Sequence, residues 1–355
     1  MKFLFIKHIK FRGFICLYLF SILFFFAHCQ KKDRQLTTAF YHWKTNAAVS
    51  DFEKKTVDSL GTKAIYKRIF DVDWNDEAHF PEPISIAQNF KLNNFKIIPT
   101  VFITNKTFIQ LADNQLDTFV SVFFDKITQN TEGPLFDEIQ IDCDWTQTTR
   151  DKFFLFLKKL KKVSQKKLSV TIRLHQVKDK NVMGVPPVDK GMLMVYNMGN
   201  LDDAKTQNSI LDVKTLKLYV SNLKTYNLKL DIALPIFSWG VVVRDGEVVK
   251  LINGLTNDDF FPSCEPQNFV PLPIKKINSN RFEILENMYV KGFYLYKNDE
   301  IRLENTPLSI LTATTDILTQ NIDNQPLTIA FFHLDSVLLK RYTVKNLDGL
   351  VRKFK

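Results

Sequence analysis

The stretch Phe136-Asp-Glu-Ile-Gln-Ile-Asp-Cys-Asp-Trp145 decides the fold. Ile139, Ile141 and Cys143 alternate with Gln140, Asp142 and Asp144, and successive side chains of a strand point to opposite faces. One face is therefore apolar and the other carries an amide and two carboxylates. Burying unpaired carboxylates costs several kcal/mol, so acids crowded at the C-terminal end of a strand point to an α/β active site. Thr148-Thr-Arg-Asp151 then reads as a capping box. Phe153, Phe156, Leu157 and Leu160 follow at helical spacing. Strand, acidic end and helix form one βα unit.

Working outward, similar units recur. Strand-like runs are expected at 36–43, 63–70, 95–103, 168–175, 192–196, 230–237 and 327–334, with the Asp-Cys-Asp run fourth. Helical runs are expected at 51–60, 84–92, 115–127, 211–226, 308–319 and 344–354. Alternation argues for a parallel sheet. Eight strands over this length predict an α/β (β/α)8 TIM-type barrel, with an insertion after strand 7 at about 241–305. Within the insertion, Arg244-Asp-Gly-Glu247 is a tight-turn sequence. No glycine-rich nucleotide fingerprint follows any strand.

The first 28 residues read as a signal peptide. Lys2, Lys7, Lys10 and Arg12 precede the apolar run 14–26, which is too short for an ordinary membrane span. Cys29 directly after it predicts lipidation, hence an exported, membrane-anchored lipoprotein of the bacterial cell envelope, with residues 29–355 as one barrel domain. The segment 1–28 holds four of the basic residues and no acid, so the net charge falls from +10 to +6 without it. That mild excess, with lysines such as Lys158, Lys159, Lys161 and Lys162 on one helix face, reads as solvation rather than nucleic-acid binding. Four cysteines are present. Cys143 and Cys264 match no metal spacing or disulfide framework, and neither a metal nor a cofactor is expected.

The active site of such a barrel lies at the C-terminal ends of its strands. The residues expected there are Tyr41, His42 and Trp43; Asp71, Asp73 and Trp74; Gln140, Asp142, Asp144 and Trp145; Arg173 and His175; Tyr196 and Asn197; Ser238 and Trp239; and His333 and Asp335. Arg173 is expected to pair with Asp142 or Asp144. Carboxylates and aromatic rings together suit sugars, and paired carboxylates are the working parts of glycoside hydrolysis.

These residues resemble glycoside hydrolase family 18, the chitinase-like barrels. Asp137-Glu-Ile-Gln140-Ile-Asp142-Cys-Asp144 occupies the window of that family's Asp-x-x-Asp-x-Asp-x-Glu. Met194-Val-Tyr196-Asn197 is similar to its Met-x-Tyr-Asp, and Ala233-Leu-Pro235-Ile-Phe237 to its seventh-strand ending. A closer likeness is to an uncharacterised group of exported bacterial barrel proteins carrying Gln-Ile-Asp-Cys-Asp-Trp. The resemblance implies a glycan-acting site with Asp144 as general acid and Asp142 beside it. Tyr41, Trp43, Asp73, Gln140, Arg173, His175, Tyr196, Asn197, Trp239, His333 and Asp335 would then bind substrate. Asp144 stands where the family has Glu, one methylene longer, and Asn197 where it has Asp. Those departures make a non-catalytic glycan-binding barrel lipoprotein the alternative to an exported glycoside hydrolase.

Overall fold

A computed structural model describes residues 34–46, 48–88, 95–131, 135–261, 271–323 and 325–355. The signal segment, Cys29 and Cys264 lie outside them.

Eight parallel strands close into a barrel: β1 (Leu36–His42), β2 (Ala64–Asn75), β4 (Lys96–Ile103), β5 (Glu138–Asp142), β6 (Lys167–Arg173), β7 (Lys190–Met194), β8 (Leu230–Pro235) and β16 (Leu327–Phe332). Closure is made by β1, which pairs in parallel with both β16 and β2. At one level Ala39 faces Ala330 on one side and Ala64 on the other, and Ala330 faces Ala233. The outer helices are α1 (Asp51–Ser59), α2 (Asn105–Gln110), α3 (Leu116–Gln129), α4 (Arg150–Ser164), α5 (Leu174–Lys178), α6 (Lys180–Met183), α7 (Val213–Tyr219), α8 (Leu308–Asn321), α9 (Ser336–Leu339) and α10 (Val344–Arg352).

The alternation in β5 sets its register. Ile139, Ile141 and Cys143 are buried in the main apolar core, while Gln140 and Asp142 reach hydroxyls of other strands across the barrel interior. Outside β5, α4 buries Phe153, Phe156, Leu157 and Leu160. Phe156 stacks on Phe119 of α3 at 5.3 Å, and Phe108 of α2 meets Phe153 at 5.2 Å edge-on. Aromatic interdigitation thus ties the two helices that follow β4 to the helix that follows β5.

Some local expectations differ from the structure. β2 continues to Asn75 and pairs antiparallel with β3 (Phe80–Ile84), so the start of the helix expected over 84–92 ends a strand. Residues 85–88 are not helical, and 89–94 lie outside the described residues. No capping box forms at Thr148–Asp151. The Thr149 hydroxyl instead accepts Thr146 N–H at 3.0 Å and donates to Asn105 at 2.6 Å, while Asp151 pairs with Arg150. The long helix expected over 211–226 is α7 followed by a 3-10 turn, Val220–Thr225.

Between β8 and α8 a second, five-stranded antiparallel sheet forms. It contains β9 (Ser238–Arg244), β10 (Glu247–Asn253), β11 (Ile274–Lys276), β12 (Arg281–Ile284) and β15 (Glu300–Asn305). A separate hairpin joins β13 (Met288–Val290) to β14 (Phe293–Leu295). The β9–β10 turn places Asp245 and Gly246 at φ 52° and 85°, the left-handed pair a two-residue hairpin requires. Val242, Ile252, Phe260, Phe282, Leu295 and Ile301 form a core of their own here.

Candidate active site

A cleft of about 630 Å³ opens at the C-terminal strand ends, with the second sheet as one wall. Asp142, Asp144 and Arg173 lie at it. Asp142 ends β5 almost fully buried and accepts the Thr171 hydroxyl. Burial raises its pKa to about 6; nearby Arg173 opposes the rise and Asp144 adds to it. Asp144 is about half exposed, its side chain at 52%. It takes both prongs of Arg173, at 2.6 and 3.2 Å. Burial disfavours the Arg173 cation, but Asp142 and Asp144 outweigh that and hold its pKa above the ordinary arginine value. The ion pair expected for Arg173 is therefore present. Two carboxylates share one guanidinium, which serves only the outer one bidentately.

Aromatic rings form a continuous band across the cleft. Trp43 meets Phe332 at 5.7 Å, Phe332 meets Tyr196 at 5.3 Å and Phe237 at 5.7 Å, and Phe237 meets Trp239 at 5.1 Å. Trp239 is clamped from behind. Its indole N–H donates to Glu304 at 2.8 Å, and the same carboxylate accepts Ser209 N–H at 2.7 Å and Arg302 at 2.6 Å. Arg302 in turn holds the carbonyls of Asp203 and Ala204 at 3.0 and 3.1 Å. With its N–H taken, Trp239 has only its ring to offer a ligand.

Trp43, Arg173, Tyr196, Asn197, Trp239, His333 and Asp335 line the cleft beside the acidic pair. Asn197 sits at φ 55°, a left-handed conformation that asparagine tolerates. Burial lowers the pKa of His333 to about 4, so it is neutral at physiological pH. Asp335 pairs with Lys44 at 2.8 Å and caps α9 through Val337 N–H at 2.9 Å.

Other expected residues lie away from the lining. Gln140 sits one inward step below Asp142, roughly 6–7 Å at the rise of a strand. It accepts the Tyr41 hydroxyl at 2.6 Å, with both residues fully buried. Asp73 accepts Thr104 at 2.6 Å and its neighbour's N–H, while Asp71 pairs with Arg68 at 2.7 Å. Strand β6 ends at Arg173, so His175 rides on the first turn of α5. Trp145 turns outward, its indole donating to Met183 C=O at 3.0 Å and its ring stacking on Phe153. The sequence reading missed Phe237, Phe332 and Lys291 in the lining and the Glu304–Arg302 clamp behind it. Phe237 and Phe332 shared strand ends with expected residues; Glu304 had no local signal. Among the described residues, no three or more His, Cys, Asp or Glu side chains are grouped to hold a metal ion.

Neither a family model nor a curated protein sequence matches the chain. Solved structures do. The C-terminal domain of a putative chitinase from Desulfitobacterium hafniense superposes with TM-score 0.56 at 10% identity, over 91% of this chain and 100% of that one. The spore cortex-lytic enzyme SleL of Bacillus cereus gives 0.51 at 11%, over 90% and 75%. A chitinase from Chromobacterium violaceum gives 0.51 at 8%, over 90% and 98%. Identities this low establish likeness of fold, and the fold of this chain is a chitinase-like (β/α)8 barrel.

Proposed function

We propose that this protein is an exported, lipid-anchored glycoside hydrolase-like protein that acts on an oligosaccharide held in the barrel cleft. One observation carries the reading. A buried carboxylate with its pKa raised to about 6 lies next to a second, half-exposed carboxylate at an aromatic-lined cleft. Proton transfer near neutral pH works best from groups titrating near the working pH. The likeness of fold to proteins described as chitinases and a cortex-lytic enzyme supports a glycan as ligand. The charged start of the chain and Cys29 support export and anchoring.

In this reading the aromatic band receives the apolar faces of sugar rings. A ligand hydroxyl draws Arg173 away and frees Asp144. Asp144 then takes the proton that the buried Asp142 carboxyl holds, its pKa raised to about 6, and passes it to the glycosidic oxygen as the C–O bond breaks. Asp142, as carboxylate, stabilises the positive charge developing at the sugar carbon. Water adds to that carbon, and its proton returns to the carboxylate pair.

A second reading, glycan binding without cleavage, draws on the Arg173–Asp144 pair. With both Asp144 oxygens engaged, the pair itself has no proton to deliver. Reducing-end release and calorimetric binding on one oligosaccharide panel separate the readings. Turnover by wild type that is lost in Asp144→Asn with binding retained supports hydrolysis. Binding without turnover supports the second reading, and neither on any glycan removes both.

A further inference from the structure

The β13–β14 hairpin breaks the usual pattern of a half-buried antiparallel ribbon, apolar inside and polar outside. Met288, Val290 and Leu295 point into the core of the second sheet. The opposite face carries Tyr289 and Tyr294, which are cross-strand partners, and Tyr296 two residues further on. Their exposures are 69%, 37% and 49%. Tyr289 and Tyr294 lie 4.9 Å apart, as do Tyr294 and Tyr296, so the three rings make one patch. The patch is held in place. The Arg244 guanidinium stacks 4.3 Å from the Tyr296 ring and is itself fixed by both oxygens of Asp299, at 2.7 and 2.9 Å. Exposed, contiguous and immobilised aromatic surface marks interaction sites.

The patch adjoins the cleft. Lys291 and Gly292 form the hairpin turn, and Lys291 lines the cleft wall with Asn253 and Gly254. From the Val290–Phe293 pair that the turn closes, the tyrosine face runs outward by roughly 10 Å at about 3.3 Å per residue.

We infer that this tyrosine face is a second, non-catalytic glycan-docking surface, carrying the part of a polysaccharide strand that leaves the cleft past Lys291. The inference rests on the glycan reading of the cleft. Tyrosine rings offer flat apolar faces with a hydroxyl at the edge, the chemistry that matches a sugar ring's C–H face and its flanking hydroxyls. A second copy of this chain fits less well. Three aromatic rings bury roughly 150–250 Å² each at most, below the ~800 Å² a side of a stable interface.

The test uses the full chain, insoluble chitin, cellulose and peptidoglycan as polymers, and N-acetylchitotriose as a ligand short enough for the cleft alone. The variants are Tyr289→Ser/Tyr294→Ser/Tyr296→Ser and the matching triple Tyr→Phe. The expected result is at least tenfold weaker retention of the serine variant on whichever polymer retains wild type. The phenylalanine variant should keep retention, and trisaccharide affinity should be equal within twofold in all three proteins. Polymer retention unchanged in the serine variant overturns the inference. So does wild type retained by no polymer, and if trisaccharide binding persists the cleft reading still stands. Polymer retention that depends on the tyrosines without trisaccharide binding keeps the docking face and removes the cleft reading. Two further results assign the face to another occupant and overturn the inference: light scattering showing a wild-type dimer that the serine variant breaks, or anionic vesicles retaining wild type but not the variant.

Discussion

The two ends of the barrel contain the same charges and arrange them differently. At the N-terminal end Lys190 reaches Asp231 at 2.9 Å, Glu138 at 3.2 Å and the Tyr66 hydroxyl at 3.2 Å. Ser169 donates to Glu138 at 2.8 Å, and Thr328 N–H to Asp231 at 2.7 Å. Burial works against the Lys190 ammonium, yet Tyr66, Asp231 and Glu138 outweigh it and raise its pKa. At the C-terminal end there are again two carboxylates and one cation, but Arg173 gives its fork to Asp144 while a threonine hydroxyl meets Asp142. One end is compensated from all sides and serves stability. The other keeps a buried acid short of compensation, at the price of some stability, and can exchange protons or partners with a ligand.

The largest expected effect lies at the cleft. Asp144→Asn is predicted to lower the rate of reducing-end release by roughly 10²–10⁴-fold, with affinity within a few-fold. Undiminished turnover in that variant would remove Asp144 as the acid.

Breaking the opposite end should cost stability and not chemistry. Lys190→Met leaves Glu138 and Asp231 without their shared cation, and losing one partner of a buried pair costs about 3–5 kcal/mol. Lys190 retains some exposure, so the lower figure is expected. Urea unfolding reads the loss, and ligand affinity of the folded fraction should not change. A midpoint equal to wild type would show that the lower network contributes nothing.

Asp142 should make stability depend on pH in a defined direction. Its folded pKa of about 6 lies above the ordinary aspartate value of 3.8, so the fold favours its neutral form. Its stabilising contribution is complete below about pH 4 and is lost as pH rises through 6. Asp142→Asn should therefore gain on the order of 1–3 kcal/mol relative to wild type between pH 4 and pH 8. Parallel stability–pH curves for the two proteins would contradict the proposed burial of that carboxylate.

The smallest change sharpens the same point. The Thr171 hydroxyl favours the ionised form of Asp142. Thr171→Val should raise the Asp142 pKa by somewhat less than one unit, the ~1 kcal/mol of one hydrogen bond. Carboxyl NMR titration measures it, and a downward shift would reverse the assignment.

Much of the fold was legible because its causes are local. The alternation through 139–144 told which face of β5 meets the helices, since a one-residue slip would bury the acids against Phe153 and Phe156. Helical spacing located α4, α8 and α10, and the Asp245-Gly246 pair located a hairpin. By itself the sequence thus determined the eight strand runs, the two faces of β5 and its acidic end. Tertiary structure decided which members of each face reach the cleft. Gln140 and Asp142 share a face, but closure of the barrel left Gln140 in the interior with Tyr41 and brought Asp142 to the opening. The helix expected from residue 84 gave way to β3, because β2 runs long and supplies Phe80–Ile84 with a partner strand. Glu304 reached the site only through the second sheet, 65 residues from the Trp239 it holds. Periodicity records which way a side chain points along its own segment. Height in a barrel, and contacts between segments far apart in the chain, depend on how the strands stagger when the sheet closes.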